Sequence, residues 1–306
     1  MRGPGTAVAI MLASVAAIAT AGCGLGSGRG LRDVRLTITR EYGSTPVLAR
    51  EVGDVTESDT VMRVLERNAA KVATRYGGGF VQAIDGLEAQ ERFGRSRDWF
   101  FYVDGVESTV GAADYSLKGG ESVWWDYRDW SAAMRVPAVV GSWPQPFVGE
   151  YDGRRHPVVV DCRGGEAACA QVRGRLERVG ATISDGMPAD AIRVLVGPWA
   201  RLREDSAATQ IEGGPQRSGV FAGFRRTARG YVLQGLGEDG DTALSLGRDA
   251  GLVAATRRSE APPTWVVTGT DRQGVQEAAA LLDVAHLRDR YAVAVEAGNE
   301  RPLPVR

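Results

Sequence analysis

Hydrophobic and polar positions alternate with a period of two over Val34–Thr39, a second strand run follows over Val47–Val52, and the spacing then becomes helical over Thr60–Arg67. The first two runs predict a hairpin through Glu41-Tyr42-Gly43-Ser44, and the third a helix capped by Ser58 or Asp59. Tyr76-Gly77-Gly78-Gly79 is the expected helix stop, lacking the Lys-Ser/Thr of a phosphate loop, and strands follow at Val81–Ile84, Trp99–Val103 and Val123–Tyr127. Between Ser131 and Pro157 the periodicity fades, and Pro137, Pro144, Pro146 and Pro157 mark a linker or an ordered strap. Trp143 and Phe147 within it are expected to pack on a neighbouring domain. Beyond it, strands at Val158–Val160, Ile192–Gly197, Trp265–Thr270 and Tyr291–Val295 alternate with helices near 167–179 and 273–282, with one hairpin from Gly219–Phe224 and Tyr231–Gly235. Strand-helix-strand alternation predicts a mostly parallel sheet covered by helices.

The order hairpin, helix, strand, strand, strand is that of a β-grasp sheet. The expected fold class is therefore α+β: a β-grasp domain over residues 31–130, a strap over 131–157, and an α/β domain over 158–306. Two domains of this size suit a chain of 306 residues.

Four of the seven tryptophans lie between Trp99 and Trp130. Residues two apart share a strand face, so Trp99, Phe101 and Val103 group with Val123, Trp125 and Tyr127 as core. The opposite face carries Phe100, Tyr102, Trp124 and Asp126, with Arg128 at its end. A helix covers only one side of such a sheet. Phe100, Tyr102 and Trp124 are thus the candidate platform for a ligand, or alternatively the face that packs against the second domain or the strap.

On these residues residues 31–130 resemble the β-grasp domain that ends transcobalamin-type corrinoid carriers, also found in bacterial exported proteins of unknown function. The marks are W-x-x-Y-V-D-G from Trp99 to Gly105, Gly111 and Tyr115 in the link, and Gly120-Glu121-Ser122-Val123-Trp124-Trp125-Asp126-Tyr127 as the closing strand. Asp104-Gly105 stands where the family commonly has Asn-Gly, and Gly120-Glu121 where it has Gly-Asp; both keep turn or acceptor chemistry. The resemblance implies a large, flat, partly polar ligand of corrinoid type, sandwiched between this domain and another. The helical domain that supplies the other half of the carriers' site has no counterpart here. The β-grasp segment holds no histidine, so a corrinoid would be held by stacking, backbone hydrogen bonds, Asp126 or Arg128. No cofactor is required.

The N-terminus reads as a secretory signal over residues 1–22: Arg2, an uncharged apolar run from Thr6 to Ala21, then Ala21-Gly22-Cys23 and a Gly-rich tether to residue 30. Its end resembles a bacterial lipobox, which implies cleavage before Cys23, lipid on that sulfur and an extracytoplasmic protein anchored in the cell membrane. Ala19-Thr20-Ala21 also fits ordinary cleavage and secretion. In an oxidising compartment the remaining Cys162 and Cys169 are expected to bond. With 37 Lys and Arg against 38 Asp and Glu, the chain lacks the positive field that holds nucleic acid.

No catalytic constellation stands out. Gly235-Leu236-Gly237-Glu238-Asp239-Gly240 has the spacing of a dinucleotide fingerprint, but its acids oppose a pyrophosphate and favour an acidic turn. There is no G-x-S-x-G elbow, and His156 and His286 are the only histidines. Two histidines and no CxxC spacing leave no metal site. The chain reads as a non-enzymatic binding protein that captures a ligand for a membrane partner such as an uptake transporter, or alternatively as a protein-interaction or structural module of the cell envelope.

Overall fold

The computed structural model describes residues 29–92 and 94–306, so the signal segment and Cys23 lie outside the described residues. It is a mixed α/β protein in which sheets predominate and helices are few and short.

In the N-terminal half, β1 (Val34–Arg40) and β2 (Thr45–Val52) form the expected hairpin, followed by α1 (Val61–Asn68). The helix cap is Thr60, whose hydroxyl accepts the Arg63 N–H at 3.3 Å. Asp59 instead accepts from the Thr56 N–H and pairs with Arg67 at 2.7 Å. The helix ends well before Tyr76, because β3 (Val72–Arg75) intervenes. Tyr76–Gly78 is a turn into β4 (Phe80–Ile84), which pairs with β5 (Leu87–Glu88) to complete a small antiparallel sheet.

The main sheet continues with β6 (Gln90–Arg92), β7 (Arg95–Val103), β8 (Val106–Glu107) and β9 (Ser122–Asp129). Its order is β2-β1-β9-β7-β6, with β1 parallel to β9 and the other neighbours antiparallel. Alternation works as expected on one face: Trp99, Val103, Val123, Trp125 and Tyr127 are buried with Val34, Leu36 and Ile38 beneath Val61, Val64 and Leu65 of α1.

The strap is ordered. The Val139 N–H donates to Gly105 at 2.8 Å, and Trp143 and Phe147 pack edge-on or tilted against Trp265 with centroids 5.8 and 4.9 Å away.

The C-terminal half runs β10 (Val158–Cys162), α2 (Glu166–Arg178), β11 (Ile192–Pro198), then three short helices α3 (Trp199–Leu202), α4 (Ser206–Glu212) and α5 (Pro215–Ser218). A meander β12 (Ala222–Thr227), β13 (Gly230–Leu236) and β14 (Thr242–Leu246) follows. The chain closes with β15 (Ala250–Thr256), β16 (Thr264–Gly269), α6 (Arg272–Ala280), α7 (Val284–Leu287), β17 (Ala292–Glu296) and β18 (Asn299–Leu303).

The sheet order is β10-β11-β16-β15-β17-β18. Only the β10–β11 and β11–β16 pairs are parallel; β15 lies antiparallel to both β16 and β17, and β18 antiparallel to β17. The expectation of a mostly parallel sheet is corrected: the sheet is mixed. Short connections account for two of these pairs, β15–β16 and β17–β18, since consecutive strands joined by a short turn run antiparallel, whereas parallel neighbours need a longer crossover. The acidic glycine segment is a turn between β13 and β14, with the Gly237 N–H donating to Asp241 at 2.8 Å.

Cys162 at the end of β10 and Cys169 in α2 form a disulfide, with their Cα atoms 6.0 Å apart. Closing so short a loop stabilises by about 2–3 kcal/mol in the chain-entropy model. Replacing both cysteines by alanine is expected to lower unfolding stability by about that amount in urea titration and to leave the fold intact by circular dichroism. An unchanged midpoint would refute a stabilising role.

Candidate functional site

The rear face of the N-terminal sheet is built in cross-strand rows. Ala49 on β2, Thr37 on β1, Trp124 on β9 and Tyr102 on β7 are successive partners across it. The next row down places Thr39, Asp126 and Phe100 together. The C-terminal sheet and its helices cover one side of this face: Tyr42, Tyr102 and Trp124 share a core with Leu195, Trp199, Phe221, Leu252 and Tyr291.

The expected open platform is therefore corrected. Tyr102 and Trp124 are buried, Asp126 and Arg128 are buried with them, and Phe100 is half-buried beneath Arg128, whose guanidinium carbon lies 3.7 Å from its ring centroid. Two amphipathic sheets lower their free energy by burying their apolar faces on each other, and this removes the aromatic face from solvent.

Asp126 is the polar centre of that contact. Its carboxylate accepts from the Thr39 hydroxyl at 2.5 Å, the Tyr42 N–H at 2.9 Å, the Gly43 N–H at 3.1 Å and the Tyr291 hydroxyl at 3.0 Å. Tyr291 in turn accepts from Tyr102 at 3.2 Å, and the Trp124 indole donates to Thr39 at 2.8 Å. Burial pushes the Asp126 carboxyl up, opposed by these donors and by Arg128. Arg128 donates to the carbonyls of Ala133 and Met134 at 2.8 and 3.1 Å, tying the end of β9 to the start of the strap.

Beyond Trp124 the row is uncovered. A cavity of about 610 Å³ opens there, bounded by β1 and β2, the Trp124 edge, strap residues 141–145 and the loop at Arg288 and Asp289. Its size is within the range of small-molecule sites. Two glycines let its walls meet. A Cβ on Gly141 would lie 2.7 Å from both Trp124 Cζ3 and the Arg290 nitrogen, and one on Gly43, whose φ is +81°, would lie 1.9 Å from the Asp289 carbonyl oxygen. Arg35, Arg50 and Arg288 line the cleft with Asp33, Glu51 and Asp289, although the Arg50 guanidinium turns to the other face of the sheet and donates to Asn68 at the end of α1 at 3.1 Å.

Arg35 pairs with Glu51 at 2.8 Å, an exposed contact of little energetic weight. Burial pushes the Asp289 carboxyl up, against Arg288, Arg290 and Arg35. The Ser142 hydroxyl and the Gln145 Oε1 in the strap wall are buried without a hydrogen-bond partner among the described residues.

Sequence reasoning placed Trp124 correctly on the rear face but missed Arg35, Ser142, Arg288 and Asp289. They come from three distant segments with no shared motif, and the alternation around Arg35 marks a strand but not a site. Among the described residues no three His, Cys, Asp or Glu side chains converge on a metal position. His156 is buried between the carbonyls of Asp190 and Tyr151, and His286 contacts Asp283 at 2.5 Å and Glu300 at 3.5 Å; neither histidine lines the cleft.

Residues 58–129 match the family described as a domain of unknown function, DUF4430. Among solved structures, a candidate metal-binding protein from Ruminococcus gnavus aligns over 32% of this chain and 97% of its own at 16% identity, with a TM-score of 0.27. A likeness that loose supports no argument about fold or ligand. No curated protein matches the chain.

Several carboxyls around the site are held above their usual range. Burial is the first cause at Asp104, Glu107 and Glu121 as well as Asp126, and at Asp104 it outweighs the Ser122 N–H donated at 2.8 Å. A raised folded value means that the folded chain holds more protons than the unfolded one above the ordinary carboxylate pKa of about 4, so stability falls as pH rises through that window. The melting temperature is therefore expected to rise as pH drops from 8 towards 5. Asp104→Asn keeps the acceptor for Ser122 and tolerates the φ of +52°. It is expected to raise the melting temperature at pH 8 and flatten the profile; a lower value at pH 8 with an unchanged slope would contradict this origin.

Proposed function

We propose that this chain is a non-enzymatic binding protein of the cell envelope, lipidated at Cys23 and extracytoplasmic, that captures a ligand in the cleft beneath the strap for a membrane partner such as an uptake transporter. The observation that carries the binding role is the cavity of about 610 Å³ between the N-terminal sheet, the strap and the loop at Arg288. The sheet order β2-β1-β9-β7 with a parallel β1–β9 pair and α1 on one face supports a β-grasp reading of the N-terminal half. That arrangement, together with the motif residues from Trp99 to Tyr127, supports the link to transcobalamin-type carriers and makes a corrinoid the first ligand to try. The ligand would lie one strand over from the face proposed on sequence, against the Trp124 edge rather than on Phe100 and Tyr102.

The burial of Tyr102 and Trp124, with Phe100 half-buried beside them, favours a second reading, in which the aromatic face serves only to join the two halves and the protein acts as an interaction module.

With the full chain purified in detergent, cobalamin or cobinamide is expected to quench tryptophan emission. Arg288→Ala is expected to weaken binding about tenfold, or about 1.4 kcal/mol, without moving the melting temperature. No quenching at high micromolar ligand would sink the corrinoid version. For the anchor, metabolic labelling with palmitate is expected to vanish in Cys23→Ala, and persistent labelling would refute it.

A further inference from the structure

The cleft borders an open sheet edge. β2 is the outermost strand of the N-terminal sheet and, at eight residues, exceeds the six of β12, the edge of the C-terminal meander. The other main-sheet edges are blunted. β6 has three residues, β18 carries Pro302, and β10 is covered by the 182–184 segment, where Val158 donates to Thr182 at 2.8 Å and Ser184 to Val158 at 2.9 Å. On β2 the proline, Pro46, sits at the hairpin end and leaves the run from Val47 to Val52 clear.

Backbone directions along this run follow from the register. The Arg35 N–H donates to Glu121 at 3.0 Å, so Arg35 turns its backbone groups towards β9. Its antiparallel partner on β2 is Glu51, and two residues along Thr37 faces Ala49. Both are non-hydrogen-bonded pairs, whose β2 members point their N–H and C=O groups away from β1. Ala49 and Glu51 thus present outward donors and acceptors with no partner among the described residues, and both line the cleft. Three consecutive β2 residues, Ala49, Arg50 and Glu51, border the cavity although their side chains alternate between faces, which places the strand edge itself at its mouth.

We propose that this edge accepts an extended peptide from a partner protein, which adds to the sheet as a strand alongside β2 with alternate side chains entering the cleft. Main-chain hydrogen bonds to Ala49 and Glu51 would supply affinity, and the charges would select the segment. Arg50 and Glu51 call for an acid and a base at neighbouring peptide positions, flanked by β-branched residues suited to a strand. The proposal rests on the cleft as the binding site and replaces a compact ligand with a strand-forming one.

The test uses fluorescein-labelled heptapeptides of Thr and Val with one Glu and one Arg at two adjacent central positions, in both orders, against the full chain in detergent. At least one order is expected to bind by fluorescence polarisation. Binding should fall at least about tenfold in Ala49→Pro, which removes one outward N–H without touching a β1–β2 hydrogen bond. Ala49→Thr, which keeps the N–H, should bind like the parent. Hydrogen exchange provides a readout independent of variant folding: the Ala49 and Glu51 amides are expected to exchange fast alone and to gain protection with peptide. Failure of both peptides to bind, equal binding by folded Ala49→Pro, or amides already protected in the free protein would overturn the inference. Cobinamide quenching that persists while peptides fail would overturn this proposal alone. Peptide binding without any quenching would instead remove the corrinoid reading and leave the edge site standing.

Discussion

The carboxylate of Asp126, buried between two sheets, is the constraint on which the rest of the arrangement depends. A charge or a polar group removed from water is costly unless its hydrogen bonds are replaced. Here donors come from β1, from the hairpin turn after it and from Tyr291 just before β17, so they belong to both halves of the molecule. The apolar surface around it would tolerate many relative placements of the two sheets, because hydrophobic burial has no direction. The Asp126–Tyr291–Tyr102 chain does not, and it selects one of them.

That placement decides what remains open. The cross-strand row Ala49, Thr37, Trp124, Tyr102 begins in solvent and ends in the core, and the C-terminal half covers only its far end. The strap closes one wall by running close over Trp124, an approach that Gly141 permits because it has no Cβ. The cleft is thus a consequence of partial overlap between two faces. The same overlap leaves β2 as an edge with a cavity beside it.

Much of the N-terminal half was legible because one face of its sheet is covered by a helix, which enforces a period of two. The first strand follows from that alternation and the helix from its change to helical spacing, while the core set of Trp99, Trp125 and Tyr127 follows from which residues share a strand face. The C-terminal sheet was less legible for the converse reason. It is buried on both faces, so β15 reads Ala-Gly-Leu-Val-Ala-Ala-Thr with every residue buried and no alternation to announce it. Overlooking that strand is what made the sheet read as mostly parallel, since β15 is antiparallel to the neighbours on either side of it. The helix cap at Thr60 fell within a residue-scale ambiguity that local pattern does not resolve, whereas the early end of α1 reflects β3, a four-residue strand too short to announce itself before the glycines.

From the sequence alone came the residues that form strands, which side chains share a face, and the presence of a second aromatic face facing away from α1. These are local properties, governed by backbone periodicity and side-chain character within a few residues. Which part of that face meets water was decided only by the tertiary structure. It depends on Asp126 meeting Tyr291, which lies 165 residues further along the chain, and on the strap meeting Trp124. No periodic signal connects positions that far apart, because their proximity arises from packing and hydrogen bonding between finished elements.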